Sequence, residues 1–183
     1  MRGHRDTWRI LRKQIGNEKY VWFHAASLGE FEQGRPLMER LRREHPEKKI
    51  LLTFFSPSGY EVRKNYEGAD VVCYLPLDTP LNARKFVRLA NPEAAYFIKY
   101  EFWRNYIDVL HQKHIPVYSV SSIFRPNQIF FRWYGRNYAR VLQRMTHLYV
   151  QNVESRALLA TIGVDHVTVV GDTRFDRVID IRN

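Results

Sequence analysis

The chain has 183 residues, 45% of them hydrophobic and 26% charged, which is enough apolar mass for one packed core. A formal net charge of +10 at pH 7 and a pI near 9.9 favour an anionic partner: nucleic acid, a phosphorylated substrate or an anionic membrane face. Cys73, the only cysteine, excludes an internal disulfide, and no apolar run is long enough for a transmembrane helix.

The first segment, residues 1–18, is basic and lacks the apolar stretch of a signal peptide. It reads either as a short helix lying on an interface, with Trp8, Ile10 and Leu11 among its cations, or as a frayed terminus. From residue 19 onward, two kinds of pattern alternate. Apolar, β-branched or aromatic runs predict strands at 20–25, 50–55, 71–75, 94–98, 117–120, 148–151 and 167–170. Helical patterns fall at 36–45, 58–66, 82–89, 103–111, 127–145 and 155–162. Turn signals such as SPSG, LDTP and ANPE separate them. The runs do not alternate cleanly between apolar and polar, which suggests strands covered on both faces. Together with the intervening helices they imply an α/β fold with a parallel sheet and right-handed crossovers.

In such a sheet ligands bind beyond the carboxyl ends of the strands. The residues after each run are therefore the informative ones. After the first comes SLGE, with Ser27, Gly29 and Glu30. Glycine admits a tight turn and close approach of a ligand. A carboxylate at a helix N-terminus is expected to stay ionised in the helix dipole and could take a proton from an attacking alcohol. The same glutamate could simply cap the helix. No Lys-Ser/Thr follows, and no GxGxxG is present, so neither a nucleoside-triphosphate loop nor a dinucleotide fingerprint is found.

After the second run, Ser56, Ser58 and Gly59 offer hydroxyls and N–H groups at a helix start, suited to a phosphate or sugar oxygen or to an ordinary N-cap. After the fourth, Lys99, Glu101 and Trp103 could grip sugar hydroxyls and pack on a sugar ring, or form a surface ion pair beside a half-buried tryptophan. Ser122 and Arg125 follow the fifth. Over 127–145, Arg132, Arg136, Arg140 and Arg144 recur every four residues among aromatics, a pattern for an anionic bilayer or phosphates, or for a solvated face. His111 and His114 lack a third ligand, so no metal site is read, and no DNA or RNA motif is present.

Taken together, HAASLGE (24–30), SPSG (56–59), YLPLDTP (74–80), EFW (101–103), QN (151–152) and VVGDTRFD (169–176) resemble the amino-terminal domain of the 3-deoxy-D-manno-octulosonic acid (Kdo) transferases of lipopolysaccharide synthesis. The resemblance covers about 20–176. It implies a Rossmann-like domain over 19–176, the amino-terminal half of a GT-B glycosyltransferase, with 177–183 opening a linker to a donor-binding domain. It implies inverting transfer from CMP-Kdo, held mainly by that other domain, to a lipid A precursor at the cytoplasmic face of the bacterial inner membrane, with no cofactor and no metal in the chemical step. Glu30 falls on the family's base. The substrate contacts are then expected among Ser27, Gly29, Ser56, Ser58, Gly59, Lys99, Glu101, Trp103, Ser122 and Arg125, with Arg132, Arg136 and Arg140 toward membrane or phosphate. By itself the domain is expected to bind acceptor weakly and turn over nothing. Lys99 stands where many members carry a glutamate, Arg104 replaces a common proline, and the family's usual apolar anchor is missing. Another GT-B-type glycosyltransferase or a sugar-nucleotide epimerase is the alternative, since its half-domain shares the pattern.

Overall fold

A computed structural model describes residues 2–171. Fourteen principal elements follow in order: α1 (Arg2–Gln14), β1 (Tyr20–Ala25), α2 (Leu28–Glu44), β2 (Lys49–Phe54), α3 (Pro57–Arg63), β3 (Val71–Tyr74), α4 (Pro80–Ala90), β4 (Pro92–Ile98), α5 (Arg104–Gln112), β5 (Val117–Ser122), α6 (Arg136–Arg144), β6 (His147–Val150), α7 (Val153–Ala160) and β7 (Val167–Val169). The strands form one sheet in the order β3-β2-β1-β4-β5-β6-β7, and every pairing is parallel. The predicted Rossmann-like α/β fold is what the chain adopts.

Period-two alternation splits each strand between two cores. Tyr20 and Trp22 of β1 face one layer, with Leu11 of α1, Phe86 of α4, Tyr106 of α5 and Leu142 of α6. Val21, Phe23 and Ala25 face the other, with Phe31, Leu37 and Met38 of α2. Both layers are apolar, so β1 is buried at every position. Trp22 anchors the first layer, its ring centroid 4.9 Å from that of Phe86 and 5.2 Å from that of Phe97.

The strand order decides where a ligand can enter. From β1 the chain steps outward to β2 and β3, then returns to place β4 on the other side of β1. Loops leaving β1 and β4 therefore turn in opposite directions and leave a crevice between them.

Three predicted boundaries need correction. Residues 2–14 form a helix docked on the domain, neither frayed nor lying apolar side outward: Leu11 is buried and the Thr7 hydroxyl donates to Tyr74 O at 2.8 Å. Helix α2 begins at Leu28, eight residues before the predicted start at Pro36, because Ser27 caps it and the proline is carried inside. The predicted helix over 127–145 is broken into two short 3₁₀ turns, Ile129–Phe131 and Trp133–Gly135, before α6. Gly135 makes that break possible, since a Cβ there would overlap the carbonyl of Ile129. The residues of the expected linker, 177–183, and most of VVGDTRFD lie outside the described residues.

Candidate active site

Glu30 occupies the third position of α2, at the crevice. Ser27 is the N-cap, and its Oγ accepts from the Glu30 N–H at 3.5 Å. In return Glu30 Oε2 accepts from the Ala26 N–H at 2.6 Å. SLGE is thus a capping box displaced by one residue, and helix capping is part of what this glutamate does.

It is not all of it. Glu30 is half-buried, and its carboxyl is pushed up from 4.5 to about 7, by burial first and by the charge of Glu101 second. The backbone N–H of Ala26, the charge of Lys99 and the backbone N–H of Ser27 pull the other way. The expectation that the helix terminus keeps this acid fully ionised is therefore overturned: desolvation and a like charge outweigh the dipole. Such a carboxyl is half ionised near neutral pH, the condition under which a general base works best.

The neighbours come from β4. Lys99 adopts left-handed backbone, φ 61, with its N–H donating to Val120 O at 2.8 Å and its carbonyl accepting from Ser122 Oγ at 2.8 Å. Ser121, at the end of β5, is also left-handed, φ 63. Two strained non-glycine residues at adjacent strand ends turn the chain sharply at the crevice. Beyond Lys99, Glu101 Oε2 lies 3.2 Å from His24 Nε2 and accepts from Trp103 Nε1. The Trp103 ring packs against Phe55, centroids 4.9 Å apart, and meets the His24 ring edge-on. Glu30, Lys99, Glu101 and Trp103 therefore gather at one rim from two loops about seventy residues apart in sequence.

A family described as "3-Deoxy-D-manno-octulosonic-acid transferase (kdotransferase)" matches residues 5–177 through its amino-terminal domain. The chain belongs to the Kdo transferase family. It is 40% identical over 88 residues to the 3-deoxy-D-manno-octulosonic acid transferase of Aquifex aeolicus, covering 48% of this chain and 24% of that protein. It is 26% identical over 180 residues to the enzyme of the same description from Chlamydia trachomatis serovar D, covering 92% of this chain and 42% of that protein. The chain thus spans less than half the length of these relatives. Among solved structures, UDP-GlcNAc 2-epimerase from Neisseria meningitidis superposes with a TM-score of 0.62 at 12% identity, over 89% of this chain and 49% of that one. At that identity the likeness is one of fold.

The remaining motifs of this Kdo transferase domain divide into lining and scaffold. Gly29 is exposed, with nothing within 4 Å of where a Cβ would stand, so the rim is open there. Ser56 caps α3 by accepting from the Ser58 N–H at 3.3 Å, and the two hydroxyls are 3.0 Å apart at the surface. Gly59 is buried, and a Cβ there would overlap the Phe54 ring, so this glycine serves helix–strand packing instead of the expected substrate contact. Ser122 is also corrected: it is fully buried, and its hydroxyl is spent on Ser119 and the Lys99 carbonyl. Arg125 lies exposed on the loop after β5.

The arginine stripe is corrected too. Arg132 sits between the 3₁₀ turns while Arg136 and Arg140 lie on α6, yet all three line one cavity of about 420 Å³ with Phe130, Phe131 and Trp133. Arg144 leaves the stripe and pairs with Asp108. YLPLDTP proves structural. The Asp78 carboxylate accepts from the Asn105 N–H at 3.1 Å and the Tyr106 N–H at 3.3 Å, capping α5, whose own N-cap Trp103 supplies no side-chain bond. Sequence reasoning missed His24 and Thr53 as partners of the site. A polar pair among the apolar residues of two predicted strands was the available signal.

Proposed function

We propose that this domain is the acceptor-binding half of an inverting glycosyltransferase that moves Kdo from CMP-Kdo to a lipid A precursor at the cytoplasmic face of the inner membrane. The observation that carries the reading is Glu30: a half-buried carboxyl at the switch-point crevice, poised near neutrality. The acceptor sugar hydroxyl gives its proton to the Glu30 carboxylate as its oxygen bonds to the donor's anomeric carbon. The bond from that carbon to the phosphate oxygen breaks, and its electron pair leaves with CMP. Attack from the face opposite the leaving group inverts the centre. A phosphate leaves as a stable anion, so the departure needs less acid assistance than an ordinary glycoside.

Lys99 and Trp103 lie where a sugar ring and its hydroxyls would rest beside Glu30, and Ser56 and Ser58 offer hydroxyls on the neighbouring loop. The Arg132, Arg136 and Arg140 cavity, flanked by Trp133 at 85% exposure, suits the phosphates of a lipid headgroup and an anionic bilayer. A carboxyl-terminal domain supplies most of the donor site, so the isolated domain binds acceptor weakly and transfers nothing. The test uses the full-length protein. Glu30→Ala is expected to abolish Kdo transfer while leaving the circular dichroism spectrum that of a folded protein. Transfer at an undiminished rate refutes the assignment.

A further inference from the structure

The sheet interior carries a line of polar contacts that apolar packing does not call for. His24 is fully buried and shares a strand face with Trp22. The register of β1 against β2 sets Thr53 directly beside it. Trp22 Nε1–H donates to Thr53 Oγ1 at 2.8 Å, and Thr53 Oγ1 lies 2.8 Å from His24 Nδ1. On its far side, His24 Nε2 reaches Glu101 Oε2, which also takes the Trp103 N–H.

The proton directions follow from what each group can do. An indole only donates, so the Thr53 oxygen accepts from Trp22. Thr53's own proton has two acceptors in reach, Phe23 O at 3.4 Å and His24 Nδ1 at 2.8 Å, and the shorter contact is the better bond. With Nδ1 accepting, the neutral imidazole carries its proton on Nε2 and donates it to Glu101. Every member is satisfied, and the relay points outward from the core to one carboxylate oxygen.

We propose that His24 is a positioning residue: from inside the sheet it fixes the Glu101 carboxylate on the Glu30 side of the crevice, so that a second acid is held beside the first. The groups facing Glu30 are Glu101 and Lys99 from the β4 loop and the backbone N–H groups of Ala26 and Ser27. Those bonded to Glu101 are His24 and Trp103. Removing a donor frees the Glu101 carboxylate to swing away from Glu30, and with less like charge beside it Glu30 ionises at lower pH. The catalytic meaning rests on Glu30 being the base, but the electrostatic claim does not.

The test is a ¹³C-carboxyl NMR titration of this 183-residue chain. Glu30 is expected to titrate at about 7 in the wild type. His24→Phe keeps a ring and removes the donor, and lowers that midpoint by about one pH unit. His24→Gln keeps a donor and brings it back. Trp103→Phe removes the second donor from the half-exposed side, moves the midpoint the same way, and decides the matter if the buried His24→Phe does not fold. An unchanged midpoint in a folded donorless variant, or a wild-type midpoint in the ordinary glutamate range, overturns the proposal. A midpoint that moves, alongside full-length Glu30→Gln that still transfers Kdo, leaves the positioning role standing and removes the base.

Discussion

Replacing Glu30 by glutamine is expected to stabilise the fold, and only above mildly acidic pH. The folded-state carboxyl is raised above its unfolded value of 4.5, to about 7. Its contribution is therefore complete below pH 4.5 and is lost as the pH rises through about 7. Glutamine keeps an oxygen for the Ala26 N–H and never acquires the charge. At 1.36 kcal/mol per pH unit the ceiling is about 3.4 kcal/mol. The side chain is only half-buried, and solvent screening brings this to about 1–2 kcal/mol. For a domain of this size that is a rise in melting midpoint of roughly 2–8 °C at pH 8, shrinking to none by about pH 4.5. Thermal unfolding of wild type and Glu30→Gln across that range reads it directly. A Glu30→Gln domain that melts lower than wild type at pH 8, or by the same margin at both ends, refutes the burial-and-repulsion account. The predicted gain alongside lost transfer would mark a residue held at a cost to the fold.

Other outcomes follow from the same geometry. In the full-length enzyme the rate of transfer at saturating substrate should fall about tenfold per pH unit below about 7, as Glu30 takes up its proton, and a profile flat from pH 5 to 8 would contradict this. Asp78→Ala should cost about 1–2 kcal/mol in urea unfolding, because it strips the cap from α5, whereas Asp78→Asn should cost less than half of that. Arg136→Ala with Arg140→Ala should weaken binding of the domain to vesicles rich in anionic lipid by about 1 kcal/mol per arginine, and should leave any binding to neutral vesicles unchanged.

The alternation of elements was legible because each buried strand needs an apolar run and each crossover needs a helix, so the seven strands fell within a residue or two of prediction. Helix ends were less so. Pro36 reads as a first-turn residue, and Ser27 with Glu30 reads as a capping box; the sequence holds both signals, and the fold uses the second. Over 127–145 the arginine spacing suggested one helix, while Gly135 in its middle was the mark of the break. Glu30 was visible at a strand-to-helix turn. Its perturbed carboxyl was not, since burial and Glu101 reach it only through the β1–β4 pairing. His24 and Thr53 become neighbours through parallel register across 29 residues, and no local pattern carries that.

The adjacency of β1 and β4 has an evolutionary corollary. Three strands, β2-β1-β4, hold both carboxylates together with the histidine and threonine behind them. The outlying strands β6 and β7, with the aromatic turns that follow β5, contribute none of that group. A lineage can remodel that wing while the hydrogen-bonded quartet on the other side passes down untouched.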